Sequence, residues 1–146
     1  MKAESDPITE DEWVVRLVWE TKVKSTELRI AAAAFEPLRN DTDGLSFFRL
    51  ACLNDPADAL LAIAESKRAH YAICKVPVSL LATLCLSLRP APIEQVPGHV
   101  VMPEINIADY KADKNRFASL KLDLADIASK NFIRLPIGLL SSDEMN

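Results

Sequence analysis

The first regular pattern along the chain is a two-residue period over residues 12–21. Trp13, Val15, Leu17 and Trp19 fall on one face, and Val14, Arg16 and Val18 on the other. β-Branched and aromatic residues at this period predict a strand. Residues 45–52 predict a second strand, with Phe47 and Phe48 on opposite faces. Shorter strands are expected over 71–76, 86–89, 99–102 (stopped by Pro103) and 132–135.

Helical spacing is clearest after Asp55. An acceptor side chain at the cap, Pro56 at the first helical position and Asp58 in the first turn form a start signal. Leu60, Ile63, Ala64 and Lys67 then make one stripe, and Lys67 and Arg68 suit the last turn. A short helix is expected over 26–35, where Ala31 to Ala34 favour it and Pro37 ends it. Another is expected over 77–84. A longer one is expected over 113–130, where Phe117, Leu120, Leu124 and Ile127 share a face and Asp126 faces Lys130. Residues 39–44 and 90–98 read as loops.

These patterns predict one small α+β domain over residues 1–146. It has a mixed or antiparallel sheet with three to four helices on one side. Residues 1–11 and 141–146 are expected to be flexible. The apolar run 76–88 is about 13 residues long, too short to span a bilayer. The polar start lacks a signal-peptide pattern, so the expected address is the cytoplasm.

Composition narrows the classes further. The net charge of −4 supplies no broad basic field for nucleic acid. The cysteines Cys52, Cys74 and Cys85 are odd in number, lack CxxC spacing and sit among apolar neighbours. They read as reduced, small hydrophobic residues.

Several short pieces together resemble a group of small uncharacterised bacterial proteins. The pieces are Arg16 to Trp19, Ala34-Phe35, Gly44-Leu45-Ser46, the segment 76–84, and Pro97-Gly98-His99-Val100. The group carries Ser-Ser before Ala-Phe, and this chain has Ala32-Ala33 there. The resemblance implies a single α/β-type domain and no known activity.

Motifs for chemistry are sparse. Three glycines provide neither GxGxxG nor GxxxxGK[ST], so those phosphate loops are excluded. His70 and His99 lack paired metal-ligand spacing. Ser46 and Ser79 lack a nucleophile elbow, and Cys74 and Lys75 alternate faces. No catalytic residue, metal or cofactor is assigned.

Two readings follow. The favoured one is a non-catalytic protein-binding component of a bacterial system, such as an adaptor, immunity-like or antitoxin-like protein. Trp13 and Trp19 are its candidate contact residues. The alternative is an enzyme or sensor acting on an anionic or nucleotide-like ligand through Arg16, Arg49 and His99. Mid-strand arginines need a carboxylate or carbonyl partner, or mark an anion site. Glu12, Glu20 or a neighbouring strand are the candidate partners of Arg16.

Overall fold

A computed structural model describes residues 1–24 and 27–137. The alternating run forms β1 (Trp13–Trp19), followed by the short pair β2 (Val23–Lys24) and β3 (Arg29–Ile30). The later strands are β4 (Leu45–Arg49), β5 (Tyr71–Pro77), β6 (Arg89–Pro90), β7 (His99–Met102) and β8 (Phe132–Arg134). Helices α1 (Val78–Thr83), α2 (Ile107–Ala112) and α3 (Ala118–Ser129) lie between them. Six strands form one sheet in the order β6-β7-β4-β1-β5-β8, and every pairing is antiparallel. The protein is therefore α+β.

The two-residue period of the strands divides the core in two. Val14, Val18, Phe47, Cys74 and Val76 face the α-helices, meeting Leu81, Tyr110, Phe117, Leu124 and Ala128. Val15, Phe48 and Ile73 face the other way, onto Ala59, Leu60 and Val96. Thus the α-helices cover one face, and 3-10 turns and a loop cover the other. Each large apolar side chain fully buried this way contributes about 1.5–3 kcal/mol.

Several predicted helices take other forms. Of the expected helix 26–35, the described residues 27–35 hold strand β3 and one 3-10 turn, Ala32–Phe35. Its groups find partners on α3 instead. Ile30 N–H donates to Ser129 Oγ, and Arg29 pairs with Asp126, which displaces the expected Asp126–Lys130 pair. Asp55 does cap its segment: its side chain accepts from Ala57 N–H, completing a capping box with Asp58. The segment nevertheless forms two 3-10 helices, Pro56–Ala62 and Glu65–His70. Arg68 Nε donates to the carbonyls of Leu60 and Ile63 at the break between them. Ala64 and Lys67 are consequently exposed.

Helix α2 was not anticipated, although Asn106 caps it by accepting from Asp109 N–H. The long C-terminal helix opens with a 3-10 turn, Lys114–Phe117, and becomes α-helical at Ala118. The tail 141–146 lies outside the described residues.

The N-terminal segment makes specific contacts with the sheet. Lys2 N–H donates to Ala51 O, and Glu4 Oε1 accepts from Gly98 N–H. The carbonyls of Glu4, Asp6 and Pro7 accept from Arg49.

Pairing around β1 is uneven. All seven of its residues pair with β5, but only Val14 and Val15 pair with β4, opposite Arg49 and Phe48. Beyond Val15 the two strands part. β4 stays with β7, where Gly44 fits at φ +130° because a Cβ there would sit 2.1 Å from Met102 O. The opening between β1 and β4 is where the candidate site lies.

Candidate functional site

Arg16 fills the gap where β1 and β4 separate. Its Nη1 donates to Ser46 O at 2.9 Å, and its Nη2 donates to Ala34 O at 2.8 Å. The guanidinium carbon lies 5.6 Å from the Phe35 ring centre and 5.5 Å from that of Phe47. Of the expected partners the neighbouring strand supplies one, Ser46 O on β4; the other is Ala34 O in the 3-10 turn, and neither Glu12 nor Glu20 takes part. Nε is buried without a hydrogen-bond partner among the described residues. Burial lowers the pKa of the group, opposed by Asp41, Cys74 and Tyr71. An arginine stays charged even so, and two of its Nη hydrogens are not used by these bonds.

Ser46 and His99 meet beside Arg16. In the β4–β7 register Phe48 lies opposite His99, and Ser46 lies opposite Val101. Ser46 and His99 are therefore diagonal neighbours on one sheet face. His99 Nε2 lies 3.1 Å from Ser46 Oγ, and Nδ1 lies 2.6 Å from Ala91 O. A carbonyl can only accept, so Nδ1 carries the proton in this arrangement. Nε2 of the neutral ring is then an acceptor, and the Ser46 hydroxyl donates to it. The Phe48 ring, centred 5.2 Å from that of His99, supports the imidazole from the side.

These groups line one cleft of about 330 Å³. Arg16, Asp41, Ser46, Tyr71 and His99 provide its polar lining. Leu17, Leu38, Phe48, Ile63 and Ile93 provide apolar walls. Asp41 is held in the turn after Pro37, accepting from Leu38 N–H through its carboxylate and from Ile107 N–H through its carbonyl. A second opening of about 350 Å³ shares Asp41, Ser46, Ile93 and His99 with the first. A partly apolar cleft with a few convergent polar groups is the usual form of a small-molecule site.

Of the residues singled out by sequence, Arg16 and His99 come together here and Arg49 does not. Arg49 is 1 % exposed and gives its N–H groups to Glu12 and to the carbonyls of Glu4, Asp6 and Pro7. Trp13 lies under Lys75, whose Nζ is 4.2 Å from the indole centre. Trp19 packs edge-on to Tyr71 and against His70. Both tryptophans keep partial exposure. Cys74 is sealed beside Arg16, and burial pushes its thiol up to about 12, which makes it a poor nucleophile.

The local sequence gives Ser46 no nucleophile elbow and places Asp41 in a loop. Their roles depend on strand register and loop placement, which no local spacing encodes. The chain pieces Arg16 to Trp19, Ala34-Phe35, Gly44-Leu45-Ser46 and Pro97-Gly98-His99-Val100 meet around this opening. Among the described residues, no group of three His, Cys, Asp or Glu could hold a metal ion. No described helix is long and apolar enough to cross a membrane.

Comparison with known proteins finds no matching family model, no matching curated protein and no matching solved structure.

Proposed function

We propose that the chain binds a small ligand carrying one anionic group on an apolar body, held in the cleft of Arg16, Ser46 and His99. The observation that supports this is the convergence of those three residues on one opening. Among the described residues Arg16 is the only arginine or lysine lining it, and its spare Nη hydrogens can meet a carboxylate or similar oxyanion. The Asp41 carboxylate is engaged by the Leu38 amide, and the apolar walls suit a hydrocarbon or ring. Arg49 takes no part in this reading.

Thermal unfolding with three matched probes tests it. Phenylacetate is expected to raise the melting temperature, because a ligand that binds only the folded state stabilises it. Phenethylamine and benzyl alcohol are expected to raise it less or not at all. Equal shifts from all three, or none from phenylacetate, would overturn the reading.

A second reading keeps a protein partner, in an adaptor, immunity-like or antitoxin-like role. The partial exposure of Trp13 and Trp19 at the two ends of β1 favours it. It requires a stoichiometric partner whose capture is lost in Trp13→Ala or Trp19→Ala. Capture that survives both substitutions would count against these contacts.

A further inference from the structure

We propose that Ser46 is a nucleophile activated by His99, and that the cleft accepts acyl groups from activated esters onto Ser46 and passes them to water. The inference rests on the ligand reading above and gives that ligand a chemical origin. Hydrolysis of an ester with an apolar acyl group releases an apolar carboxylate, the class proposed to bind beside Arg16.

The geometry has the three parts such a pair requires: a hydroxyl, a base within hydrogen-bond reach, and a group orienting the base. Ser46 Oγ lies 3.1 Å from His99 Nε2. Ala91 O holds Nδ1 at 2.6 Å, which keeps the accepting nitrogen turned to the hydroxyl. Phe48 restrains the ring plane. Ser46 and His99 are both partly exposed and line two openings, so an ester and a water can both reach them. Among the charged side chains of the cleft, Arg16 is the cation available to a developing oxyanion.

In the first step the Ser46 hydroxyl oxygen bonds to the acyl carbon while its proton passes to His99 Nε2. The ester C–O bond breaks, and the proton on Nε2 passes to the leaving alkoxide or, where a stable phenolate leaves, to solvent, which returns Nε2 to its accepting form. In the second step water attacks the acyl carbon and gives a proton to Nε2. The bond to Ser46 breaks, Oγ recovers the proton, and a carboxylic acid leaves. No redox change occurs, and the ester and water are the only co-reactants.

The test uses the full chain and p-nitrophenyl acetate, with nitrophenolate release and peptide mass mapping as paired readouts. Acetyl is expected on Ser46. In His99→Gln its formation should fall about a hundredfold, the usual share of a positioned general base. Ser46→Cys retains a nucleophile and should carry the acetyl at the same position, which guards against a His99 variant that fails to fold. Absence of acetyl on Ser46 in the wild type overturns the proposal. So does acetylation of Ser46 at an unchanged rate in a folded His99→Gln. Phenylacetate stabilisation of the wild type separates the two readings: if it is seen while the wild type is not acetylated, only the nucleophile proposal falls.

Discussion

Arg49 and Glu12 form a two-point ion pair inside the protein. Nε meets Oε1 at 2.9 Å and Nη2 meets Oε2 at 3.0 Å, with the side chains 1 % and 2 % exposed. The pair fastens the N-terminal segment to the end of β4, because the same guanidinium holds three carbonyls from residues 4–7. Removing one partner would leave an uncompensated buried charge. Glu12→Ala is therefore expected to cost about 3–5 kcal/mol. Urea unfolding measures this directly, and the Arg49→Met, Glu12→Leu double variant should lose less than Glu12→Ala alone.

The same pair predicts a response to acid. Burial by itself would raise the Glu12 pKa, but hydrogen bonds from Arg49, the Thr9 amide and Lys2 hold it down at about 2, against an ordinary 4.5. A folded-state pKa below the unfolded one means stability that is complete above the unfolded value. It is lost as pH falls from about 4.5 towards 2. The difference corresponds to roughly 3 kcal/mol. Unfolding free energies between neutral pH and pH about 2.5 should fall more steeply in wild type than in Glu12→Gln. Parallel curves would contradict the assignment.

Cys85 ends α1 in the left-handed conformation, at φ +60°. Leu86 N–H donates to Leu81 O, and Cys85 N–H donates to Ala82 O, the paired bonds of a Schellman motif. Leu86 and Leu81 are both buried in the same core, the apolar contact that accompanies the motif. A side chain in this conformation costs about 1–2 kcal/mol, while glycine loses about 0.5–1 kcal/mol through unfolded-state entropy. Cys85→Gly is expected to stabilise by roughly 0.5–1 kcal/mol, and Cys85→Val to destabilise. Melting temperatures of the two variants check the sign.

The comparison of sequence with structure is clearest at β1. The alternation of Val14, Arg16 and Val18 with Val15 and Leu17 correctly placed the two core faces, because strand period is a local property. For Arg16 a neighbouring strand was legible as a partner, but not which carbonyl on it. Glu12 is near it in sequence, yet pairs with Arg49, 37 residues away, because strand register sets which groups meet. Ser46 and His99 are 53 residues apart and meet only through the β4–β7 pairing. The cap at Asp55 was readable, but the helix it starts yields to tertiary contacts, among them the bonds from Arg68 to Leu60 O and Ile63 O. Asn106 followed by Asp109 was a comparable start signal for α2 and could have been read.

Amide chemical-shift mapping with phenylacetate asks most directly whether the opening between β1 and β4 is a binding site. Titration to millimolar concentration should give saturable shifts at Ser46, Phe48, Ile93 and His99, all of which line the cleft. In Arg16→Lys, which keeps the charge but loses the planar fork, the same shifts should need more ligand. A spectrum that stays unchanged, or shifts centred instead around Trp13 and Lys75, would contradict the account.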